Sequence, residues 1–312
     1  MIDCLVVGGG PAGATAAIYL ARFRRSVLVL DEGKSRCSWI PTTRNHPGYP
    51  DGIHGSDLLD RMRTQARRYG ARIEPGSVRS VMALDGGGFI ATLADGRRIQ
   101  ASTLLLATGV IDDQPKVPDL FDAVQRGLIR VCPICDGYEV IDRRIGVIGH
   151  GAQAVGEALF MRTYTPHVTL LTLGEPMDLA TEMQAALDRA GVSVEEEPAA
   201  GVTIADGRIT HVVLRSGRDR AFDTLYSALG TLARSSLAAE IGATMDECGR
   251  LIVDGHQRAS VPGVFAAGDV VSTLNQISVA MGEAAKAATA IHNDLRRQEG
   301  MTAETLVRAH IA

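Results

Sequence analysis

Two cysteines two residues apart, Cys132 and Cys135, are followed at once by Asp136. Thiols at this spacing can close a small disulfide ring and carry two electrons, and the thiolate form attacks other disulfides. Asp136 is a candidate proton carrier for a leaving thiol, although a turn residue at that point needs no chemistry. Zinc is the competing use of such a pair. No second C-x-x-C or spaced His pair accompanies it, so no metal site is expected. Gly8-Gly9-Gly10-Pro11-Ala12-Gly13 is a dinucleotide-type loop. Gly8 permits the tight turn, Gly10 lets backbone approach a pyrophosphate, and Gly13 lets helix and strand pack closely. Asp31, with Glu32 beside it, lies at the distance expected of an acid that accepts ribose hydroxyls. Gly149-x-Gly151-x-x-Ala154 is a second such loop, and Gly268-Asp269 ends an apolar run where a polyol chain could bind.

The elements around these residues follow from hydrophobic patterning. Leu5-Val6-Val7, the helical stretch from Ala14 to Arg25 and Val27 to Leu30 make a β-α-β unit that ends in Asp31. Residues 51–70 have helical composition. Residues 71–106 alternate with turns at Asp85-Gly86-Gly87-Gly88 and Asp95-Gly96, then close on Thr103 to Leu106 and the turn Ala107-Thr108-Gly109. Ile145 to Ile148, Val155 to Met161 and Val168 to Leu171 form a second β-α-β unit. Hairpin-like sequence follows over 192–229, then a strand ending in Gly268-Asp269 and an Ala-rich helix from Ser278 to Leu295. The two units read as a distant internal duplication of one nucleotide-binding plan. Two such loops flanking a redox-capable thiol pair point to a flavoenzyme that makes or breaks disulfides.

The 312 residues suffice for two domains, and 46% hydrophobic with 22% charged residues is the balance of a globular protein. A net charge of −4 gives no reason to expect nucleic acid or an anionic membrane as partner. Arg22, Arg24 and Arg25, and Arg296 with Arg297, read as solvated helix surface. No apolar run reaches the roughly 18 residues that span a bilayer. Met1 leads straight into a buried-strand pattern, so a cytoplasmic protein is expected. Five cysteines in so long a chain do not make a disulfide scaffold. Cys4, Cys37 and Cys248 read as packed or incidental residues, and His150 as a loop residue facing solvent or ligand.

In the order of these motifs, the chain resembles the low-molecular-weight thioredoxin reductase family over about residues 2–295. The resemblance rests on 45–53 (Asn-His-Pro-Gly-Tyr-Pro-Asp-Gly-Ile), Ala107-Thr108-Gly109, Cys132-x-x-Cys135-Asp136-Gly137, 264–270 (Val-Phe-Ala-Ala-Gly-Asp-Val) and Gln276. It implies an α/β fold of two Rossmann-like three-layer nucleotide-binding domains, the second inserted into the first. An FAD domain would comprise 1–111 plus 246–312, and the inserted domain, 115–243, would carry the cysteines. It further implies that Cys135 lies against the flavin, that Cys132 attacks the partner disulfide and that Asp136 is the acid. Asn45, Asp269 and Gln276 match flavin contacts, with Asn275 and Ile277 beside the last. A homodimer and a thioredoxin-like partner are also implied.

The chain departs from this family at the second nucleotide site. NADPH-dependent members carry His-Arg-Arg after the second strand of the inserted domain, and a further Arg four residues on. The matching positions here are Thr172, Leu173, Gly174 and Asp178. An acid in place of an arginine repels a phosphate, and no acid stands at Thr172 to mark an NADH site. The family's Gly-x-x-Pro-Asn is altered to 230–234 (Gly-Thr-Leu-Ala-Arg). Three expectations follow. One is a disulfide reductase whose electrons come from ferredoxin, a second flavin (a second FAD) or NADPH held weakly by other arginines. Another is a small-dithiol oxidase using oxygen, similar to the flavoenzymes that close disulfides in gliotoxin and holomycin. The third is a redox-sensing flavoprotein without turnover. The tail 296–312, with His310, is read as a frayed end or as a cap over a nucleotide site.

Overall fold

The computed structural model describes residues 1–117, 119–177, 179–205, 208–271 and 274–302. Asp178 and most of the tail, including His310, lie outside them. The chain opens with β1 (Ile2–Val7), α1 (Pro11–Arg22) and β2 (Val27–Asp31). Then come α2 (Gly55–Arg68), β3 (Arg72–Pro75), β4 (Val78–Ala83), β5 (Phe89–Leu93), β6 (Arg98–Leu106) and β7 (Val110–Asp112). They are followed by α3 (Leu120–Gln125), β8 (Ile129–Arg130), α4 (Pro133–Asp136), β9 (Ile145–Ile148), α5 (Gly151–Met161) and β10 (Val168–Leu171). Next are α6 (Thr181–Ala190), β11 (Ser193–Glu195), β12 (Ala199–Ala205), β13 (Arg208–Leu214), β14 (Asp219–Arg220), β15 (Thr224–Ser227) and β16 (Thr231–Ala233). The last elements are α7 (Ser236–Glu240), β17 (Val264–Ala266) and α8 (Ile277–Gln298).

One compact unit gathers Met1–Ser38, Gly55–Ile111 and Leu232–Ala312. Its sheet runs β3-β2-β1-β6-β5-β4, and β17 also pairs with β6 in parallel. β1, β2 and β6 are parallel neighbours, which requires crossovers and so covers both faces of the sheet. Their near-continuous apolar runs meet that demand. Val6, Val29 and Leu105 face α1 and α8, whose alanines (Ala16, Ala17, Ala284, Ala288) keep the helices close. Leu5, Leu28, Leu30 and Leu104 face the other way, into a cluster with Phe89, Leu93 and Leu237.

The second unit comprises Trp39–His54 and Asp112–Thr231. Its parallel sheet is β11-β10-β9-β15-β8, and β12-β13-β14 form an antiparallel sheet of their own. Val147, Leu170 and Tyr226 pack under α5 through Ala154, Val155, Ala158 and Met161. Ile129, Leu171 and Leu225 face a cluster with Val212, Leu214 and Phe222. Both units are three-layer α/β folds of the Rossmann type.

This grouping differs from the division expected from sequence at 39–54 and at 232–243. The first segment is drawn to the second unit by its packing, since Trp39 meets Phe121 edge-on and its carbonyl accepts the Gln125 amide at 2.8 Å. The other belongs with the first unit because Leu237 and Ala238 join its core and Glu240 accepts the Val81 N–H.

Candidate active site

The first glycine loop leaves the carboxyl end of β1 and enters α1. Gly8 adopts a φ of 110°, and a Cβ built there would stand 2.2 Å from the Ala107 carbonyl oxygen. A Cβ on Gly13 would stand 1.9 Å from the Gly8 carbonyl oxygen. Both positions admit only glycine. Gly10 caps α1 in extended conformation with no side chain on the helix end, and Pro11 opens the helix. The first N–H groups of α1 thus lack an intrahelical partner, which suits an anion.

Several expected residues of this unit gather at the carboxyl ends of β1, β6 and β17. Ala107-Thr108-Gly109 follows β6 and abuts Gly8, and Gly268 follows β17 within 3.0 Å of Ala12 Cβ, measured from a built Cβ. Asp269 pairs with Arg36 at 3.4 Å. Gln276 caps α8, Ile277 begins it, and Asn275 Oδ1 is buried with no partner. Asp31 ends β2 as anticipated. Its carboxylate accepts the Gly33 N–H at 3.0 Å and the Arg63 guanidinium at 2.6 Å. A cavity of about 230 Å³ is lined there by Asp31, Glu32, Arg63, Arg67, Ile73 and Pro75. Asn45 lies in the other unit, beside Thr43, whose hydroxyl is 3.0 Å from Asn45 Oδ1.

Cys132 and Cys135 are joined in a disulfide across the first turn of α4. Pro133 opens that turn, and the Cys135 and Asp136 N–H groups both point to the Cys132 carbonyl. The two sulfur-bearing residues are half-buried. Val131, Ile134 and Tyr138 around them are exposed, so the surface next to the pair is apolar. Asp136 is half-buried as well. Its Oδ2 accepts Arg130 Nη1 at 2.6 Å, and its Oδ1 accepts the Tyr226 hydroxyl at 2.8 Å. Burial pushes the Asp136 carboxyl above its usual range, and Arg130 and Tyr226 only partly oppose this. Tyr226 is fully buried, and its hydroxyl is held far above the usual tyrosine range by burial and by the adjoining carboxylate.

The second glycine loop joins β9 to α5. A Cβ on Gly149 would stand 2.7 Å from the Ala228 carbonyl and 2.9 Å from Ala154 Cβ, whereas one on Gly151 would meet nothing within 4 Å. His150 caps α5 and faces outward, with no side-chain hydrogen bond to the helix. Thr172 follows β10 and Ser227 ends β15, on the two strands that flank β9. Their hydroxyls, and Glu157 Oε2 on α5, are buried without partners. Thr172 itself is 2% exposed. Leu173 and Gly174 both have positive φ, and Pro198 would lie 2.6 Å from a Cβ on Gly174. No cationic side chain occupies positions 172–174. Nearby, Glu195 binds Arg218 and Arg220 at 3.1 and 2.8 Å.

Sequence reading did not single out Arg63, Arg130, Tyr226 or Glu283, whose carboxylate accepts the Gly268 N–H at 2.8 Å. A tyrosine inside the apolar strand 224–227 was the one available signal, because a buried hydroxyl needs a partner. Cys4 and Cys37 are buried, each thiol pushed up to about 12 by desolvation, and Cys248 is exposed.

The family model described as pyridine nucleotide-disulphide oxidoreductase matches residues 2–284. A thioredoxin reductase from Streptomyces clavuligerus is 32% identical, covering 92% of this chain and 91% of its own. The solved structure of HlmI covers 100% of this chain and 98% of its own, with 29% identity and a TM-score of 0.89. That of the atypical thioredoxin reductase TRi from Desulfovibrio vulgaris Hildenborough covers 95% and 99%, with 31% identity and a TM-score of 0.54.

Proposed function

The chain belongs to the pyridine nucleotide-disulphide oxidoreductases as a low-molecular-weight thioredoxin reductase-like flavin enzyme, and from that premise we propose how its electrons run. They pass between FAD, the Cys132–Cys135 pair and a partner disulfide or dithiol, without an ordinary NADPH site. The observation that carries this reading is the turn after β10. A buried threonine and two positive-φ residues, Leu173 and Gly174, the second close against Pro198, stand where a 2′-phosphate would require arginines.

FAD, when bound, supplies a two-electron carrier. The glycine cradle and the bare α1 N-terminus fit its pyrophosphate, and the unpartnered Asn275 Oδ1 fits a ligand hydrogen bond. Asp31 has acceptor sites left beside Arg63 and Gly33 for ribose hydroxyls. Gly8, Gly10, Gly13, Thr108, Asp269 and Gln276 complete the proposed set, with Asn45 from the segment 39–54. Cys132 would exchange with the partner disulfide or dithiol, Cys135 would stand next to the flavin, and Asp136 would move the proton. The inserted domain would be 115–243, and the assembly a homodimer. The partner would be a thioredoxin-like protein or a small dithiol. Ferredoxin, a second flavin or weakly held NADPH would fill the place of an ordinary donor.

The exposed apolar surface around the pair favours a second reading, in which a small apolar dithiol is oxidised at the expense of oxygen. Anaerobic mixing of the yellow protein with NADPH, and separately with dithiothreitol, tests both. Bleaching by the dithiol with slow or no bleaching by NADPH is expected. Fast bleaching at low NADPH would overturn the atypical-donor reading. Dithiol-dependent peroxide formation in air selects the oxidase.

A further inference from the structure

Asp136 is gripped from two strands that meet only in the folded chain. β8 and β15 run parallel with Tyr226 directly opposite Arg130. One carboxylate oxygen takes the guanidinium at 2.6 Å, the other the hydroxyl at 2.8 Å, and the same hydroxyl stands 3.2 Å from the Asp136 carbonyl. The flanking side chains are half-buried or buried, with side-chain exposures of 18% for Arg130 and 24% for Asp136. The other charged group facing the carboxyl is Glu139, on the turn after α4, itself 3.9 Å from Arg44. In the proposed reaction Arg130 and Tyr226 act through the carboxyl of Asp136.

We propose that Arg130 and Tyr226 are positioning residues that fix the Asp136 carboxylate behind the cysteine turn and set the pH at which it exchanges a proton with a sulfur. The inference rests on the disulfide-exchange reading above. In the reducing direction the Cys132 thiolate bonds to one sulfur of the partner disulfide. The partner S–S bond breaks, and its leaving thiolate takes the proton from the Asp136 carboxyl. Cys135 then displaces that mixed disulfide and regenerates the ring. In the oxidising direction an incoming thiol gives its proton to the Asp136 carboxylate as its sulfur bonds to Cys132, and Cys135 leaves as the thiolate. The two electrons of the thiol pair are conserved in each case.

Both partners favour the charged form of the carboxyl. A cation stabilises it by Coulomb attraction and a hydroxyl by donating to it, while burial opposes them. Removing the cation leaves a desolvated carboxyl with less to hold its charge. Its proton affinity then rises by about one to three pH units. The limb of any rate profile governed by Asp136 therefore moves alkaline, whether the acid or the base is the working form.

The test uses the flavin-loaded protein and anaerobic bleaching by dithiothreitol, followed as a function of pH. Ionisation of the probe thiol is common to every variant and cancels in the comparison. Arg130→Gln is expected to move the limb alkaline by about one unit or more. Tyr226→Phe should move it the same way by less, and Arg130→Lys should return it toward wild type. Asp136→Asn should abolish the limb, and Arg130→Gln added to it should shift nothing further. A limb unmoved in both Arg130→Gln and Tyr226→Phe, or a shift that survives in the Asp136→Asn background, would overturn the inference while exchange itself stood. Wild-type protein that no dithiol bleaches would instead remove the exchange reading, and this inference with it. If Arg130→Gln is not recovered folded, Tyr226→Phe, which deletes one oxygen, decides alone.

Discussion

Gly10 and Gly13 separate the two duties of a glycine loop, and paired alanine substitutions read them apart. At Gly13 the added methyl carbon would lie 1.9 Å from the Gly8 carbonyl oxygen, a backbone atom. An ordinary C···O contact is about 3.3 Å or more. Strand and helix must therefore separate by more than an ångström, at an overpacking cost of about 1–3 kcal/mol. At Gly10 the nearest atom is Ser35 Oγ at 3.2 Å, a hydroxyl that can rotate away, and the backbone is extended with φ −75°. The folded protein should tolerate that methyl within about 0.5 kcal/mol. The methyl nevertheless stands where a pyrophosphate must approach the chain. In flavin-free protein, Gly13→Ala should lower Tm by roughly 2–4 °C per kcal/mol lost, and Gly10→Ala should leave it nearly unchanged. In flavin titration both should bind more weakly, by about tenfold for each 1.4 kcal/mol. Wild-type flavin affinity in Gly10→Ala would refute placement of the pyrophosphate on the α1 N-terminus. An equal loss of Tm in both variants would refute the division of roles.

Gly174→Arg, which puts an arginine back after β10, should destabilise the protein without creating NADPH affinity. Its φ is 95° and Pro198 would stand 2.6 Å from the new Cβ; thermal unfolding and calorimetry with NADPH check the two halves. Iodoacetamide on the reduced native protein should label Cys132, Cys135 and Cys248 and spare Cys4 and Cys37, whose thiols burial holds near 12, as mass spectrometry of peptides would report. For Asp294, burial pushes the carboxyl up, but the two bonds from Arg258 at 2.9 and 2.8 Å more than offset it, so it sits below its usual range. A depressed carboxyl adds stability that is present above its unfolded pKa and lost as pH falls through the folded one. Arg258→Gln should therefore cost about 1 kcal/mol near neutrality and progressively less in acid, measured by urea unfolding at several pH values.

The parts legible in the sequence are those that local spacing determines. Both glycine loops, the acid at Asp31 and the Cys132–Cys135 pair sit within one β-α-β unit or one helical turn. Their patterning placed β9 and β10 to the residue and β2 to within one, whereas β1 begins three residues before the apolar run, α1 lies three residues earlier than read and α5 begins four earlier, at the loop glycine. The closing helix read as Ser278 to Leu295 is α8, Ile277–Gln298, lengthened by a polar last turn that carries no apolar signal. The family resemblance put the segment 39–54 in the first domain; the Trp39–Phe121 contact that groups it with the second unit joins residues far apart in the chain.

The same limit explains Asp136. From sequence it is an acid beside two thiols, and nothing nearby distinguishes a free carboxyl from a held one. Its two partners are six and ninety residues away, and they converge only because β8 and β15 are adjacent in the parallel sheet. Alternation along each strand then puts Arg130 and Tyr226 on one face, as a register shift of a single residue would not. A parallel sheet thus gives the carboxylate a donor, Tyr226, from ninety residues away and turns Arg130, two residues before Cys132, onto the same carboxylate. The proton step at Asp136 therefore depends on the register of β8 against β15 as much as on the cysteine turn itself. A slip at that strand pair should alter the pH response of exchange while leaving the disulfide intact.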